Sequence, residues 1–249
     1  MPNNTPLTVR KPDGSYLASA TINSGNTLIS SVYFPVTGTY TIEVNPDGTS
    51  LGSAAIFIGG DVSGTVTPGG TSTNTTIENA GQSSWLSFNG TAGQLVSVKL
   101  TNVTIASGNV SLRRPDGSVL SSVGISPNSS NFINTISLPT SGQYNVVIDP
   151  NGDSIGSATV NVYNVPGDAA GSISAGVPQT VTVTVPGQNR SLTFAGTANQ
   201  QVSVELTGVT IPGGSVVIKN SDGSPLVSSW FGTNGALMSN FVLPLTGSY

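Results

Sequence analysis

The sequence contains no histidine and no cysteine, and only 7% of its residues are charged. Without cysteine, this chain cannot form a disulfide or a thiolate metal site. Without histidine, it lacks the commonest general base and metal ligand, which excludes the usual hydrolytic triads. The net charge is −4 and no basic patch is present, so nucleic acid is not an expected partner.

Long apolar runs are missing as well. None approaches the roughly 18 residues that a membrane-spanning helix requires, and the N-terminus has neither the charged start nor the apolar core of a signal peptide. Polar, thiol-free tandem domains are nevertheless more usual outside cells than inside. We therefore expect an extracellular or cell-surface location, with this chain forming a segment of a longer exported protein.

The missing charge is replaced by serine, threonine, asparagine and glycine, and this replacement bears on the fold class. Helices in soluble proteins usually carry Lys, Glu and Arg on their outer face, whereas strands can use uncharged polar residues there. The composition therefore predicts an all-β protein.

The sequence repeats itself at intervals of 103 to 106 residues. Two rows of equivalent residues mark the copies: Asp13, Asp116 and Asp222, and then Tyr40, Tyr144 and Tyr249. This spacing is typical of a whole small domain and is too long for a solenoid coil. We predict that residues 1–60 are the C-terminal half of a first β-sandwich repeat, that 61–167 are a complete repeat, and that 168–249 are a third repeat lacking its last strands.

Alternating apolar and polar residues predict the strands of each copy. In the complete copy, turn signals separate these strands at intervals of about ten residues, which is the pattern of a tandem β-sandwich of jelly-roll or immunoglobulin-like type with short linkers. The predicted strands are Thr75–Asn79, Trp85–Phe88, Leu95–Thr101, Val110–Arg113, Phe132–Leu138, Tyr144–Ile148 and Ala158–Tyr163. Elsewhere the pattern predicts strands at Leu28–Phe34, Ala54–Ile58 and Val181–Val185.

The two rows of equivalent residues have structural interpretations. Each aspartate precedes a glycine, a combination typical of a tight turn. Each tyrosine follows a Gly-x pair at a strand entry, so we expect its ring to be buried and its hydroxyl to bond nearby backbone, as in a tyrosine corner.

Three stretches of the complete copy carry a family resemblance: WLSFNGTAGQLVSV at 85–98, VSLRRPDGSVL at 110–120 and SGQYNVVI at 141–148. In these stretches the copy resembles the bacterial pre-peptidase C-terminal domain family. The resemblance implies a jelly-roll-like sandwich that accompanies secreted peptidases or is repeated in large surface proteins. It also implies that calcium or matrix polymers are possible ligands, since some relatives bind them.

Few residues stand out as candidates for binding. Asp149, Asn151 and Asp153 could offer oxygens to calcium, but the same residues build a turn, and the turn is the favoured interpretation. We therefore expect no cofactor. Contact candidates for a ligand or a neighbouring chain are Trp85, Trp230 and Phe231.

Repetition without reactive residues favours a structural protein of an extracellular filament, fibre or surface stalk. Its expected partners are further copies of itself, joined head to tail by strand complementation, or neighbouring repeats of the same chain. The alternative is a module that binds polysaccharide or matrix protein in a secreted enzyme or adhesin. An enzyme is the least favoured hypothesis, because neither paired carboxylates nor a Ser-Lys dyad is present.

Overall fold

The computed structural model describes residues 5–22, 26–29, 32–46 and 48–249. Within these ranges the chain forms strands and no helix, so none of them supplies a helix long and apolar enough to cross a membrane. The chain divides into two compact units: unit 1 is Met1–Pro166 with Val185–Gly187, and unit 2 is Gly167–Thr184 with Gln188–Tyr249. The all-β prediction is confirmed, while the boundaries of the three sequence repeats stay a prediction.

The first repeat contributes three strands to unit 1. They form an antiparallel sheet in the order β2-β1-β3, and Val9 of the first strand is buried. Their bounds are β1 Thr5–Arg10, β2 Tyr16–Ile22 and β3 Thr41–Val44.

The described residues of two predicted segments of the first repeat form no strand. The described part of Leu28–Phe34 has no regular structure, and residues 30 and 31 lie outside the described ranges. Ala54–Ile58 is also in no strand, and Ile56 and Ile58 are 51% and 70% exposed. Both predictions were wrong for one reason. The corresponding strands of the complete repeat pair with strands that have no counterpart in the described first repeat.

The complete repeat is a sandwich of nine strands. One sheet has the order β4-β6-β11-β8-β9 and the other β10-β7-β12-β5, with β4 parallel to β6 and all other pairs antiparallel. The bounds are β4 Val62–Thr65, β5 Thr73–Ile77, β6 Ser84–Gly90, β7 Leu95–Thr101, β8 Gly108–Arg113, β9 Val119–Ile125, β10 Phe132–Ser137, β11 Gly142–Pro150 and β12 Gly156–Asn164.

Apolar side chains of both sheets fill the space between them. Val98 of β7, Leu112 of β8 and Val146 of β11 are each fully buried in one continuous cluster. Alternate residues of a strand point to opposite faces, so each strand supplies every second residue to this core. The predicted β-sandwich is thus confirmed for the complete repeat.

The strands of unit 2 correspond to those of the complete repeat, but fewer of them are paired with one another. Its four two-stranded sheets are β13-β14, β15-β20, β16-β19 and β17-β18. The bounds are β13 Ala169–Ser172, β14 Arg190–Thr193, β15 Ala195–Gly196, β16 Gln201–Leu206, β17 Gly213–Lys219, β18 Pro225–Gly232, β19 Ala236–Val242 and β20 Gly247–Ser248.

The small sheets of unit 2 correspond to the two large sheets of the complete repeat. There, β11 joins β6 to β8, and β12 joins β7 to β5. Unit 2 has only a two-residue counterpart of β11, namely β20, and none of β12 among its residues. The predicted strand at Val181–Val185 is therefore wrong: the segment alternates as a strand should, but the partner that would pair with it is missing.

Candidate functional site

A tyrosine corner recurs in all three repeats. The hydroxyl of Tyr144 donates a hydrogen bond to the carbonyl oxygen of Thr140 at 2.7 Å. Tyr40 and Tyr249 make the same bond, also at 2.7 Å, to the residue four positions earlier. The Tyr144 ring is fully buried and stacks on Phe88 with a centroid distance of 5.7 Å. The predicted bond from the hydroxyl to the backbone is confirmed in all three repeats, whereas the ring is fully buried at Tyr144 and only half-buried at Tyr40 and Tyr249.

The three equivalent aspartates close turns. The carboxylate of Asp116 accepts hydrogen bonds from the hydroxyl of Ser118 at 2.6 Å and from its backbone N–H at 2.9 Å. The side-chain bond and then the backbone bond lower the pKa of Asp116 below 3.8. Asp13 and Asp222 bond in the same way to the serine two residues on, and their pKa values are lowered for the same reason. These carboxylates act within their turns, as predicted.

Gly142, two residues before the tyrosine, approaches the Pro-Asp-Gly turn. A Cβ at Gly142 would lie 2.7 Å from Cγ of Pro115, and the φ of Gly142 is +150°. In unit 2 the equivalent turn has Ser221 in place of the proline, and nothing lies within 4 Å of a Cβ at Gly247. The glycine is therefore sterically required in the complete repeat, but not at the equivalent place in unit 2.

The calcium candidates lie at the end of β11, which includes Asp149, and in the turn that follows it, which includes Asn151 and Asp153. Asp149 accepts a hydrogen bond from the Ser83 hydroxyl at 3.1 Å, and the backbone N–H of Asn151 donates to the carbonyl of Ser107 at 3.0 Å. Asp153 is exposed. The described residues include no group of three acidic, histidine or cysteine side chains placed to hold a metal ion. The interpretation of these residues as turn residues, with calcium binding as the alternative, stays a prediction.

Trp85 lies half-buried on the outer face of its sheet. Its indole N–H donates to the carboxylate of Asp61 at 3.0 Å. The guanidinium of Arg113 stands over the ring, 5.5 Å from its centroid. Sequence reasoning missed both partners, because Arg113 lies on β8 and Asp61 immediately precedes β4, and only the pairing of the strands brings them beside Trp85.

Trp230 and Phe231 are neighbours in sequence but face opposite sides of β18. Trp230 is 75% exposed. Phe231 is partly buried, and its ring lies 2.8 Å from where a Cβ at Gly214 would be. Ile125, the equivalent of Phe231 in the complete repeat, is buried at 3% exposure. The structure therefore does not place these two aromatic rings on one surface, and only Trp230 is available on the outer face.

Apolar side chains on the inner faces of the unit 2 sheets are less buried than their equivalents in the complete repeat. Val98 and Val110 of the complete repeat are fully buried, whereas their equivalents Val204 and Val216 are half-buried. In the complete repeat, β11 lies between β6 and β8, and β12 lies between β7 and β5. The candidate site of unit 2 is thus a pair of unfilled strand positions lined by apolar side chains. We call these positions the open slots: one lies beside β14 and β17, and the other beside β16.

Two largely antiparallel sheets that enclose one core define the complete repeat as a β-sandwich. Part of this repeat also matches a known protein family. Residues 82–150 match the bacterial pre-peptidase C-terminal domain family. The match confirms, over these residues, the resemblance seen in the sequence. Domains of the family are non-catalytic accessory domains.

Three solved structures are similar to part of the chain. A periplasmic inhibitor of g-type lysozyme from Aeromonas hydrophila is 15% identical, with 42% of this chain and 99% of that chain covered and a TM-score of 0.31. The pre-peptidase C-terminal domain of a collagenase from Bacillus anthracis is 10% identical, with 41% and 95% covered and a TM-score of 0.34. The inhibitor of g-type lysozyme from Salmonella Typhimurium is 20% identical, with 41% and 98% covered and a TM-score of 0.29. No curated protein is similar enough to count as a match.

Proposed function

We propose that this chain is a non-catalytic structural protein of an extracellular filament, fibre or surface stalk. The observation that carries the proposal is recurrence: the same tyrosine corner, with the same 2.7 Å bond, is built three times. Part of the central copy matches a family of accessory domains, and domains that accompany secreted peptidases function outside the cytoplasm. A chain that repeats one sandwich becomes longer without gaining a reactive site.

Self-association is the second part of the proposal. Sheet edges with unpaired backbone groups invite strand addition from another chain. In unit 2, β14, β16 and β17 each pair with one strand, whereas their equivalents in the complete repeat each pair with two. Copies of the chain add to one another end to end through these singly paired strands.

Sedimentation velocity together with electron microscopy of the purified chain tests this function. We expect oligomers that lengthen as concentration rises, with images of linear particles. A monodisperse monomer at every concentration, seen by both methods, would rule out the self-associating form of the proposal.

Binding of polysaccharide or matrix protein is a second candidate function, and Trp230 favours it. A tryptophan that is 75% exposed on a sheet face offers a flat ring for stacking. The test compares Trp230→Ala and Trp85→Ala, singly and combined, on an array of polysaccharides and matrix proteins. Tyr16→Ala is the matched control, because Tyr16 is an aromatic residue 59% exposed in another part of the chain. Loss of binding confined to the tryptophan variants would support this function, and unchanged binding in the double variant would exclude it.

A further inference from the structure

We propose that the outer face of β7 and β10 is a docking socket for a glycine-containing turn that the next repeat in the sequence supplies. The socket consists of two outward-facing hydroxyls, that of Ser97 on β7 and that of Thr135 on β10. Its occupant is the turn at 185–188, which we call the docking turn. Val185–Gly187 of this turn belongs to compact unit 1, together with the complete repeat. This inference goes beyond the proposed function and does not depend on it.

Ser97 is buried although it points away from the core of its own sandwich. Its neighbours Val96 and Val98 belong to the core, so Ser97 lies on the opposite face of β7, because successive residues of a strand alternate. Lys99, the next outward residue, is half-buried, whereas Ser97 is 0% exposed. A group on the outer face of the sheet therefore covers Ser97.

The docking turn is this cover, and it bonds to both socket hydroxyls. The hydroxyl of Ser97 donates to the carbonyl oxygen of Pro186 at 2.7 Å, and the hydroxyl of Thr135 donates to the carbonyl oxygen of Gly187 at 2.6 Å. Two neighbouring strands thus hold two consecutive carbonyls. A buried polar group that loses its partner costs free energy, so the burial of Ser97 requires the turn to be in place.

A bulge in β10 aims the second hydroxyl at the docking turn. In a regular strand Thr135 would point to the same face as Ile133, which is buried in the core. The pairing of β10 with β7 shifts register between Ile133 and Ile136, and Ile136 packs against the core instead. A bulge changes the direction of a side chain in this way. Thr135 therefore reaches the outer face, beside Ser97.

The sequence of the docking turn fits the socket closely. Gly187 has a φ of +91°, a conformation that glycine adopts readily and other residues disfavour. A Cβ at Gly187 would overlap Oγ1 of Thr135 and would lie 3.1 Å from Cβ of Ser97. Pro186 precedes this glycine, and the Pro-Gly pair is typical of a type II turn. Only glycine allows the backbone to approach both hydroxyls at once.

An equivalent turn makes a comparable contact one repeat earlier, also within unit 1. The turn at 79–82 aligns with the docking turn and carries Gly81 in the same place, with a φ of +80°. A Cβ at Gly81 would lie 3.0 Å from Cδ1 of Leu28. Leu28 of the first repeat is equivalent to Phe132, the residue that begins β10. The glycine of the turn thus meets the β10 region of the preceding repeat in both cases.

The socket makes the outer face of the complete repeat depend on its successor in the sequence. In repeat proteins, stability is approximately the sum of a term for each repeat and a term for each contact between neighbours. The docking turn supplies a contact of the second kind through its two hydrogen bonds. Each repeat therefore contributes a turn that stabilises the sheet before it.

Thiol labelling of Ser97→Cys in the full chain tests whether the turn fills the socket, since the chain has no cysteine of its own. The rate of reaction with an aromatic disulfide reagent is measured with and without Gly187→Val. Valine overlaps Thr135 and disfavours a positive φ, so the turn should leave the socket. We expect the labelling of Ser97→Cys to become at least tenfold faster.

Two matched controls accompany this measurement. Ser111→Cys places a thiol at an outward serine of the other sheet that is 7% exposed, and Gly187→Val should change its labelling less than twofold. Gly176→Val introduces the same backbone strain, since Gly176 has a φ of +79°, but nothing lies within 4 Å of a Cβ there. It should change the labelling of Ser97→Cys less than twofold.

Thr135→Val is a second variant that leaves the docking turn unaltered. It keeps the shape of the side chain and removes one socket hydroxyl, so we expect the labelling of Ser97→Cys to become at least threefold faster. Added to Gly187→Val it should have no further effect, because the turn leaves the socket only once.

The outcomes decide the inference without reference to self-association. A labelling rate of Ser97→Cys that Gly187→Val leaves unchanged would overturn the socket. Equal acceleration of Ser111→Cys would overturn it too, because the substitution would then open the whole repeat. Equal acceleration by Gly176→Val would attribute the effect to strain, and multiplying effects of Thr135→Val and Gly187→Val would show that the two residues act separately. A chain that stays monomeric in sedimentation contradicts the proposed function and leaves the socket intact.

Discussion

The hydroxyl of Tyr144 and the carbonyl of Thr140 form a 2.7 Å hydrogen bond that closes the turn before β11. The backbone N–H of Thr140 points at the same hydroxyl, at 3.3 Å. One side chain thus satisfies two backbone groups of a turn while its ring fills the core beside Phe88. The same arrangement is present at Tyr249, whose ring is only half-buried.

The first prediction concerns this hydroxyl. Tyr144→Phe should lower the free energy of unfolding of the complete repeat by about 1–2 kcal/mol, because a partly buried hydrogen bond is lost while the ring packing is kept. Urea denaturation followed by Trp85 fluorescence in a Trp230→Phe background measures it. Tyr249→Phe is the matched control and should cost less, because the ring and turn of unit 2 are more open to water. Equal losses in the two units, with unit 2 followed through Trp230 in a Trp85→Phe background, would show that burial does not set the strength of this bond.

The second prediction concerns a close approach of two backbones. A Cβ at Gly108 would lie 2.7 Å from the carbonyl oxygen of Asp149 and 2.8 Å from Cα of Pro150. Gly108→Ala should therefore destabilise the complete repeat by about 1–3 kcal/mol, since backbone must move to admit the methyl group. Gly124→Ala, on the neighbouring strand, meets nothing closer than 3.9 Å and should change stability by less than about 0.5 kcal/mol. Thermal unfolding of the two variants checks this, and a neutral Gly108→Ala would contradict the steric argument.

The third prediction concerns pH. The pKa values of Asp13, Asp116 and Asp222 are lowered in the folded chain by bonds to the following serines. A folded pKa below the unfolded one gives stability that is present above the unfolded value of 3.8. That stability is lost as the pH falls through the folded pKa. The melting temperature should therefore drop below about pH 4.

The control for the pH prediction is a triple variant with asparagine at the three positions. Asparagine keeps an acceptor oxygen but does not titrate, so the melting temperature of the variant should fall less steeply over the same range. Identical slopes for the two proteins would mean that other carboxylates determine the acid sensitivity.

The fourth prediction concerns the stacked pair on the outer face of the complete repeat. Arg113 covers the Trp85 ring, and its guanidinium donates to the carbonyl of Gly117 at 3.2 Å. Arg113→Ala should cost about 1 kcal/mol and shift the Trp85 emission to longer wavelength, because the ring becomes more exposed to water. Lys99→Ala removes a cation elsewhere in the same sandwich and should leave the emission unchanged. An unaltered spectrum in Arg113→Ala would show that the pair is not formed in solution.

Much of the complete repeat could be predicted from local patterns. The alternation at Leu95–Thr101 matches β7 residue for residue, and the Gly-x-Tyr sequence correctly indicated the tyrosine corner. The strand Val119–Ile125 was missed, because its apolar residues fall at positions 119, 120, 123 and 125 and do not alternate. This strand is held by pairing with β8, which the sequence pattern alone does not show.

The predictions that failed depended on strand partners. Val181–Val185 alternates more regularly than β5, yet only β5 is a strand, because only β5 has a neighbour to bond. Trp230 and Phe231 stay contact candidates, and because consecutive strand residues lie on opposite faces, they do not share one surface. The open slots could be anticipated from the repeat frame. The partners that hold Trp85 in place could not, because they require the sheet register.

The contact between Gly142 and Pro115 has a consequence for how the repeats can diverge. The two positions are 27 residues apart in sequence, but each limits the size of the side chain at the other, so neither can change freely by itself. The third repeat has Ser221 at the equivalent of Pro115, and nothing lies within 4 Å of a Cβ at Gly247. A side chain at the glycine position is therefore sterically compatible with the third repeat, whereas the complete repeat would accept one only if Pro115 were replaced as well.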